Sequence, residues 1–90
     1  MNRVEFKAGY YEWNVFVDGE HFYTFGDDIS ENIPYPCTLD ELENVVEDYI
    51  ECMNIALMND EKEAFPNELR IELKEKMMAV WACHYGVTAV

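Results

Sequence analysis

Hydrophobic and polar positions alternate through the first quarter of the chain. Val4 and Phe6 fall on one side of residues 3–7, and Arg3, Glu5 and Lys7 on the other. That is the period of a short, half-buried strand. Ala8-Gly9 reads as a turn, and residues 10–17, Tyr-Tyr-Glu-Trp-Asn-Val-Phe-Val, as a second strand. Asp18-Gly19 then predicts a two-residue hairpin turn, because a type I′ turn needs two residues that tolerate positive φ. Residues 20–25 supply the third strand. A two-residue turn sets Val17 opposite Glu20, Val15 opposite Phe22 and Trp13 opposite Thr24. The expected core face carries Tyr11, Trp13, Val15, Val17 and Phe22. The other carries Tyr10, Glu12, Asn14, Phe16, His21, Tyr23 and Phe25. A bulge at Gly19 would slip one strand by a residue and change these faces.

The period changes after residue 37. Residues 27–37 read as a loop, where two prolines and a polar cluster oppose regular structure. In residues 38–59 the apolar positions Leu42, Val45, Val46, Tyr49, Ile50, Met53, Ala56 and Leu57 follow helical spacing. Thr38 and Glu41 predict a capping box at the start of this helix. Asp60 could cap a further helical turn over residues 60–63, and Phe65-Pro66 breaks the chain. A second helix is expected over residues 67–85, with Leu69, Leu73, Met77, Val80, Trp81 and His84 on its apolar side. Glu72 and Lys76 are spaced as a helical ion pair. Gly86 suits the left-handed residue that ends a helix.

Three strands followed by two helices predict one α+β domain in two layers: an antiparallel meander over residues 1–26, with the helices packed on the face that holds Trp13 and Phe22. Ninety residues, half of them apolar and 14% aromatic, can build such a core. Trp81 is expected within it. Dimerisation would help a domain of this size. No apolar run approaches the ~18–20 residues of a membrane span, and the N-terminus lacks a signal-peptide apolar region. A cytoplasmic protein is therefore expected. Cys37, Cys52 and Cys83 form an odd set without a Cys-x-x-Cys pair, so three free thiols are expected rather than a disulfide framework or a zinc site.

Charge changes the picture. The net charge is −13, and residues 8–61 contain 14 acids and no Lys or Arg. Residues 62–90 are neutral, with four acids and four bases. Glu43, Glu47 and Glu51 lie four residues apart along the long helix, a spacing at which like charges oppose the helix by ~0.2–0.5 kcal/mol per pair. No Lys or Arg is expected to answer them, so nothing nearby offsets the repulsion. Asp40 and Glu41 sit in a first helical turn, where the dipole favours acids whatever the function. Asp48 is mid-helix, and Asp27, Asp28 and Glu31 extend the negative region into the loop. A solvated face that keeps the chain soluble is the bland explanation. Salt adaptation of the whole chain fits poorly with its neutral last third.

Catalytic chemistry is missing from the pattern. There is no phosphate loop, no His-Glu-x-x-His and no nucleophile elbow, and Ser30 is the single serine. The segment from Asp27 lacks the glycine of an EF-hand loop. His21 reads as a surface strand residue and His84 as a last-turn helix residue near the dipole. Met53, Met58, Met77 and Met78 read as packing residues at helical spacing. No catalytic residue, metal ligand or cofactor site is expected.

The expected function is protein binding. Carboxylates at i, i+4 stand ~6 Å apart along a helix, comparable to neighbouring phosphates on a strand. A basic groove shaped for phosphates would accept them by the same electrostatics. Expected contact residues are Glu43, Glu47, Asp48, Glu51, Asp27, Asp28 and Glu31. The expected partner is a basic nucleic-acid-binding protein or nuclease, with no direct contact to nucleic acid or membrane. In size, charge and lack of catalytic motifs the chain resembles small phage-encoded inhibitors, including anti-CRISPR and anti-restriction DNA mimics, and bacterial immunity proteins that block nuclease toxins. This likeness is one of character and brings no residue roles with it. The competing expectation is an oligomerisation or adaptor module that uses an aromatic sheet face of Phe16, Tyr23 and Phe25.

Overall fold

Asp18 and Gly19 make the hairpin turn, with φ of 54° and 82°. Val17 pairs with Glu20 across it, as a two-residue type I′ turn requires. The Asp18 carboxylate accepts from the Arg3 backbone N–H at 2.8 Å, which ties the first strand to the turn. In the computed structural model, residues 3–26, 29–33 and 37–87 are described. They form β1 (Val4–Ala8), β2 (Glu12–Val17), β3 (Glu20–Gly26), α1 (Ile29–Asn32), α2 (Leu39–Asn59) and α3 (Arg70–Tyr85), with a 3-10 turn at Asn67–Leu69 before α3. The sheet is antiparallel in the order β1-β2-β3. The expected α+β architecture is the observed one.

The expected faces hold for β1 and for β2 from Trp13 onward, but fail in β3. Phe16 pairs with His21, whereas Val15 pairs with Tyr23, so Phe22 is an extra residue at a bulge. The slip occurs here rather than at Gly19. Beyond it Trp13 faces Phe25 instead of Thr24. Phe25 is buried, and Phe22 and Tyr23 pack against the core. The physical reason is side-chain choice. Strict alternation would bury the Thr24 hydroxyl and expose two aromatic rings, and the bulge reverses that. Tyr11 also departs from expectation. β2 begins at Glu12, and Tyr10 and Tyr11 stand at the tip of the β1–β2 turn, 87% and 71% exposed, with their rings edge-to-face.

The segment read as a featureless loop contains α1, whose Ile29 is fully buried. Thr38 caps α2: its hydroxyl oxygen accepts from the Glu41 N–H at 3.2 Å, and the hydroxyl donates to the Glu41 carboxylate at 3.1 Å. Asp60 is the C-cap of α2 rather than the start of a new turn. Glu61 follows at φ 60°, and the chain then runs on without helix to the 3-10 turn. Phe65 re-enters the core from this connection, held by its backbone N–H to Asn54 Oδ1 at 2.8 Å and edge-on to Phe22. Gly86 ends α3 at φ 64°, in the expected left-handed conformation.

Leu42, Val46, Ile50, Met53 and Leu57 of α2 and Leu73, Met77 and Trp81 of α3 cover the sheet. Trp81 is fully buried at the centre and meets Phe6, Trp13 and Tyr49 edge-on, at ring separations of 5.4, 6.0 and 5.5 Å. No helix among the described residues is long and apolar enough to cross a membrane.

Candidate functional site

The long helix presents three working faces, about 100° apart because each residue turns the helix by that angle. One is the core stripe. On one side of it lie Glu43, Glu47 and Glu51, and here the structure corrects the sequence reading. These acids are answered by bases from α3. Lys74 Nζ lies 2.9 Å from Glu47 and 3.4 Å from Glu43. Arg70 Nη2 lies 3.2 Å from Glu47 and 3.9 Å from Glu51. The partners descend α3 as they ascend α2, so the two helices run antiparallel and their charged stripes interlock. Glu47 is the hub. Hydrogen bonds from Lys74 and then Arg70 hold its carboxyl below the usual carboxylate range, against a smaller opposing effect of desolvation. The Lys74 ammonium is raised in turn, chiefly by its hydrogen bond to Glu47. The premise that nothing offsets the repulsion along this row therefore fails. The row is part of the helix–helix contact. Glu72 and Lys76, spaced for an intrahelical pair, form none within ion-pair distance among the described residues.

On the other side of the core stripe, Val45, Asp48, Tyr49 and Cys52 face β3 across a groove of about 490 Å³. Its opposite wall is Tyr23, Thr24, Phe25 and Gly26, and Asn32 of α1 also lines it. The Asn32 side-chain amide donates to the Tyr49 hydroxyl at 3.0 Å, which ties α1 to α2 at that point. The Asp48 side chain is exposed and makes no ion pair among the described residues. The structure thus brings three of the expected contact residues, Asp48, Tyr23 and Phe25, to one place. Glu31 is exposed on α1, next to Asn32. Asp27 and Asp28 lie outside the described residues. Among the groove residues, the sequence reads Val45 and Tyr49 as packing positions and Cys52 as a free thiol. Their signal was an i, i+4, i+7 spacing offset from the main apolar stripe.

The outer sheet face is polar where an aromatic surface was expected. With Tyr23 and Phe25 turned toward the helices, Phe16 is the aromatic left there, with Lys7 Nζ 5.5 Å from its ring centre. His21 Nε2 lies 2.6 Å from Thr24 Oγ1, and the Thr24 hydroxyl donates to Asn14 Oδ1 at 2.8 Å. Because that hydroxyl has one proton, His21 Nε2 is the donor in the first contact. This network commits His21 Nε2 to the Thr24 hydroxyl. His84 packs edge-on to Trp13 and Tyr85. The three cysteines are free thiols: Cys37 buried, Cys52 and Cys83 exposed. Burial, and then the charge of Glu41, pushes the Cys37 thiol up. Among the described residues no group of three potential ligands could hold a metal ion.

Comparison with protein-family models, with curated proteins and with solved structures finds no match to this chain.

Proposed function

We propose that this protein is a non-catalytic acidic binder that occupies the cationic surface of a basic, nucleic-acid-binding or nucleic-acid-processing protein. The supporting observation is an unbalanced field. Of six bases, Lys7, Arg70 and Lys74 are already engaged by carboxylates of the chain. Exposed Asp40, Glu41, Asp48, Asp60 and Glu61 have no basic partner among the described residues. Such a field raises encounter rates with cationic partners and repels anionic ones. Inhibition of a nuclease, or of another basic nucleic-acid enzyme, in the manner of DNA mimics and immunity proteins is the role this chemistry suits best. The compartment would be the cytoplasm, or that of the host if the chain is phage-encoded. Because Glu43, Glu47 and Glu51 are engaged with α3, the reading draws on the overall field and on Asp48 rather than on that row. The oligomerisation alternative loses Tyr23 and Phe25 from the outer sheet face.

The immobilised protein, challenged with host lysate and eluted with a salt gradient, is expected to release basic proteins between about 50 and 200 mM salt. A released protein should lose its nucleic-acid binding when the acidic chain is added back. Retention no better than that of an unrelated protein of equal net charge, or no competition with nucleic acid, would refute the proposal.

A further inference from the structure

We infer that the groove between β3 and α2 takes an extended, basic segment of the partner protein, added to the sheet as a fourth strand. The inference rests on the basic-partner reading above and gives it a place and a binding mode.

β3 ends the sheet order, and no strand lies on its other side among the described residues. Four consecutive residues of β3, Tyr23 to Gly26, line the groove. Neighbouring side chains on a strand point to opposite faces. Consecutive residues can line one groove only if it runs along the strand's edge and meets the backbone. An edge of this kind is a template for another strand. Four residues span ~13 Å at ~3.3 Å each, enough for a short run of paired backbone. The bulge at Phe22 ends that run on one side.

Charge selects the occupant. Asp48 lies in the α2 wall and exposed Glu41 continues the same helical stripe, one turn before Val45. Every lining residue belongs to the stretch of residues 8–61 that has no Lys or Arg. A segment with alternating basic and apolar residues would place its apolar side chains between Val45 and Tyr23 and its cations toward Asp48 and Glu41. A second copy of the chain would bring a charge of −13 against −13 and each Asp48 near its counterpart, which disfavours it as the occupant.

Cys52 in the groove and exposed Cys83, outside it, provide an internal comparison. The probe is the capped peptide Lys-Val-Lys-Val-Lys-Val-Lys, beside a version N-methylated at alternate residues and a Ser-Val peptide of equal length. Binding is read by fluorescence anisotropy and thiol alkylation by mass spectrometry. The unmodified peptide is expected to slow alkylation of Cys52 by about tenfold or more while Cys83 reacts unchanged, and to bind about tenfold better than the N-methylated peptide, which loses two or three edge hydrogen bonds. Asp48→Lys should weaken it further. Equal binding of both Lys-Val peptides, with Cys52 unprotected, would overturn the groove and leave the acidic-binder reading standing. Equal binding of the Ser-Val peptide, without salt dependence, would overturn the basic occupant and that reading together, as would no binding by any peptide. Self-association that protects Cys52 would make a second copy the occupant and overturn the inference.

Discussion

Reversing Glu43, Glu47 and Glu51 to Lys tests the interhelical network directly. If the row stood alone in solvent, E43K/E47K/E51K would exchange one set of like charges for another and leave the melting temperature nearly unchanged. In the observed packing it places three ammonium groups against Arg70 and Lys74, which now approach the carboxylates to between 2.9 and 3.9 Å. Four attractive contacts are lost and replaced by repulsion. The side chains are partly exposed, so each contact is taken at the low end for surface ion pairs and then doubled for the reversal of sign. For a domain of this size that corresponds to a fall of about 6–13 °C in melting temperature. Glu47→Gln, which removes only the hub and its two contacts, should cost about 2–3 °C on the same scale. Circular dichroism melts at low salt and at about 1 M salt, where charges beyond ~3 Å are screened, should show the triple-mutant deficit shrinking with salt. Adding Arg70→Glu and Lys74→Glu to the triple mutant should restore most of the loss. A triple mutant as stable as the wild type, or more stable, at low salt would refute the packing of the acidic row against α3.

The depressed Glu47 carboxyl gives the network a pH signature. A carboxyl lowered by folding stabilises above its unfolded value, near 4.5, and that contribution is lost as pH falls through the lower folded value. Glu47→Gln should therefore flatten the acid limb of stability below about pH 4.5, measured by urea denaturation across pH. Leu73→Ala, at a fully buried position, should cost about 2–5 kcal/mol in the same assay. Gly19→Val at φ 82° should cost about 1–2 kcal/mol by forcing a branched residue into the left-handed region. Under native conditions iodoacetamide should modify Cys52 and Cys83 promptly, and Cys37 only on the timescale of unfolding, by mass spectrometry.

The elements were legible where local chemistry decides them. Asp18-Gly19 carries its own turn geometry, Thr38 and Glu41 mark a helix start, and Gly86 marks a helix end. The face of β3 was not legible from alternation alone, because the bulge depends on which residues the helix layer accepts. A hint was present: strict alternation demanded a buried Thr24 and an exposed Phe25. The acidic row was misread for a different reason. Its partners lie 19–31 positions away in sequence, so the pairing becomes visible only when α2 and α3 are set side by side. Arg70 and Lys74 do share the i, i+4 spacing of the acids they meet, and that match was available to a reader who compared the stripes of the two helices. The groove was partly legible. Tyr23, Phe25 and Asp48 were singled out for separate reasons, but only the folded chain places a strand edge opposite the second stripe of α2.

Trp13 and Trp81 are the chain's two indoles, and both are buried, 6.0 Å apart and nearly perpendicular. One belongs to the sheet and the other to the last helix, so the pair spans the seam between the two layers. The native emission spectrum should therefore be that of indoles shielded from water, and the near-ultraviolet ellipticity should carry the coupled transitions of two fixed chromophores. Separation of the layers would abolish both signals at once, even if each layer kept its secondary structure. The molecule thus contains its own optical gauge of docking between sheet and helix, with no label added.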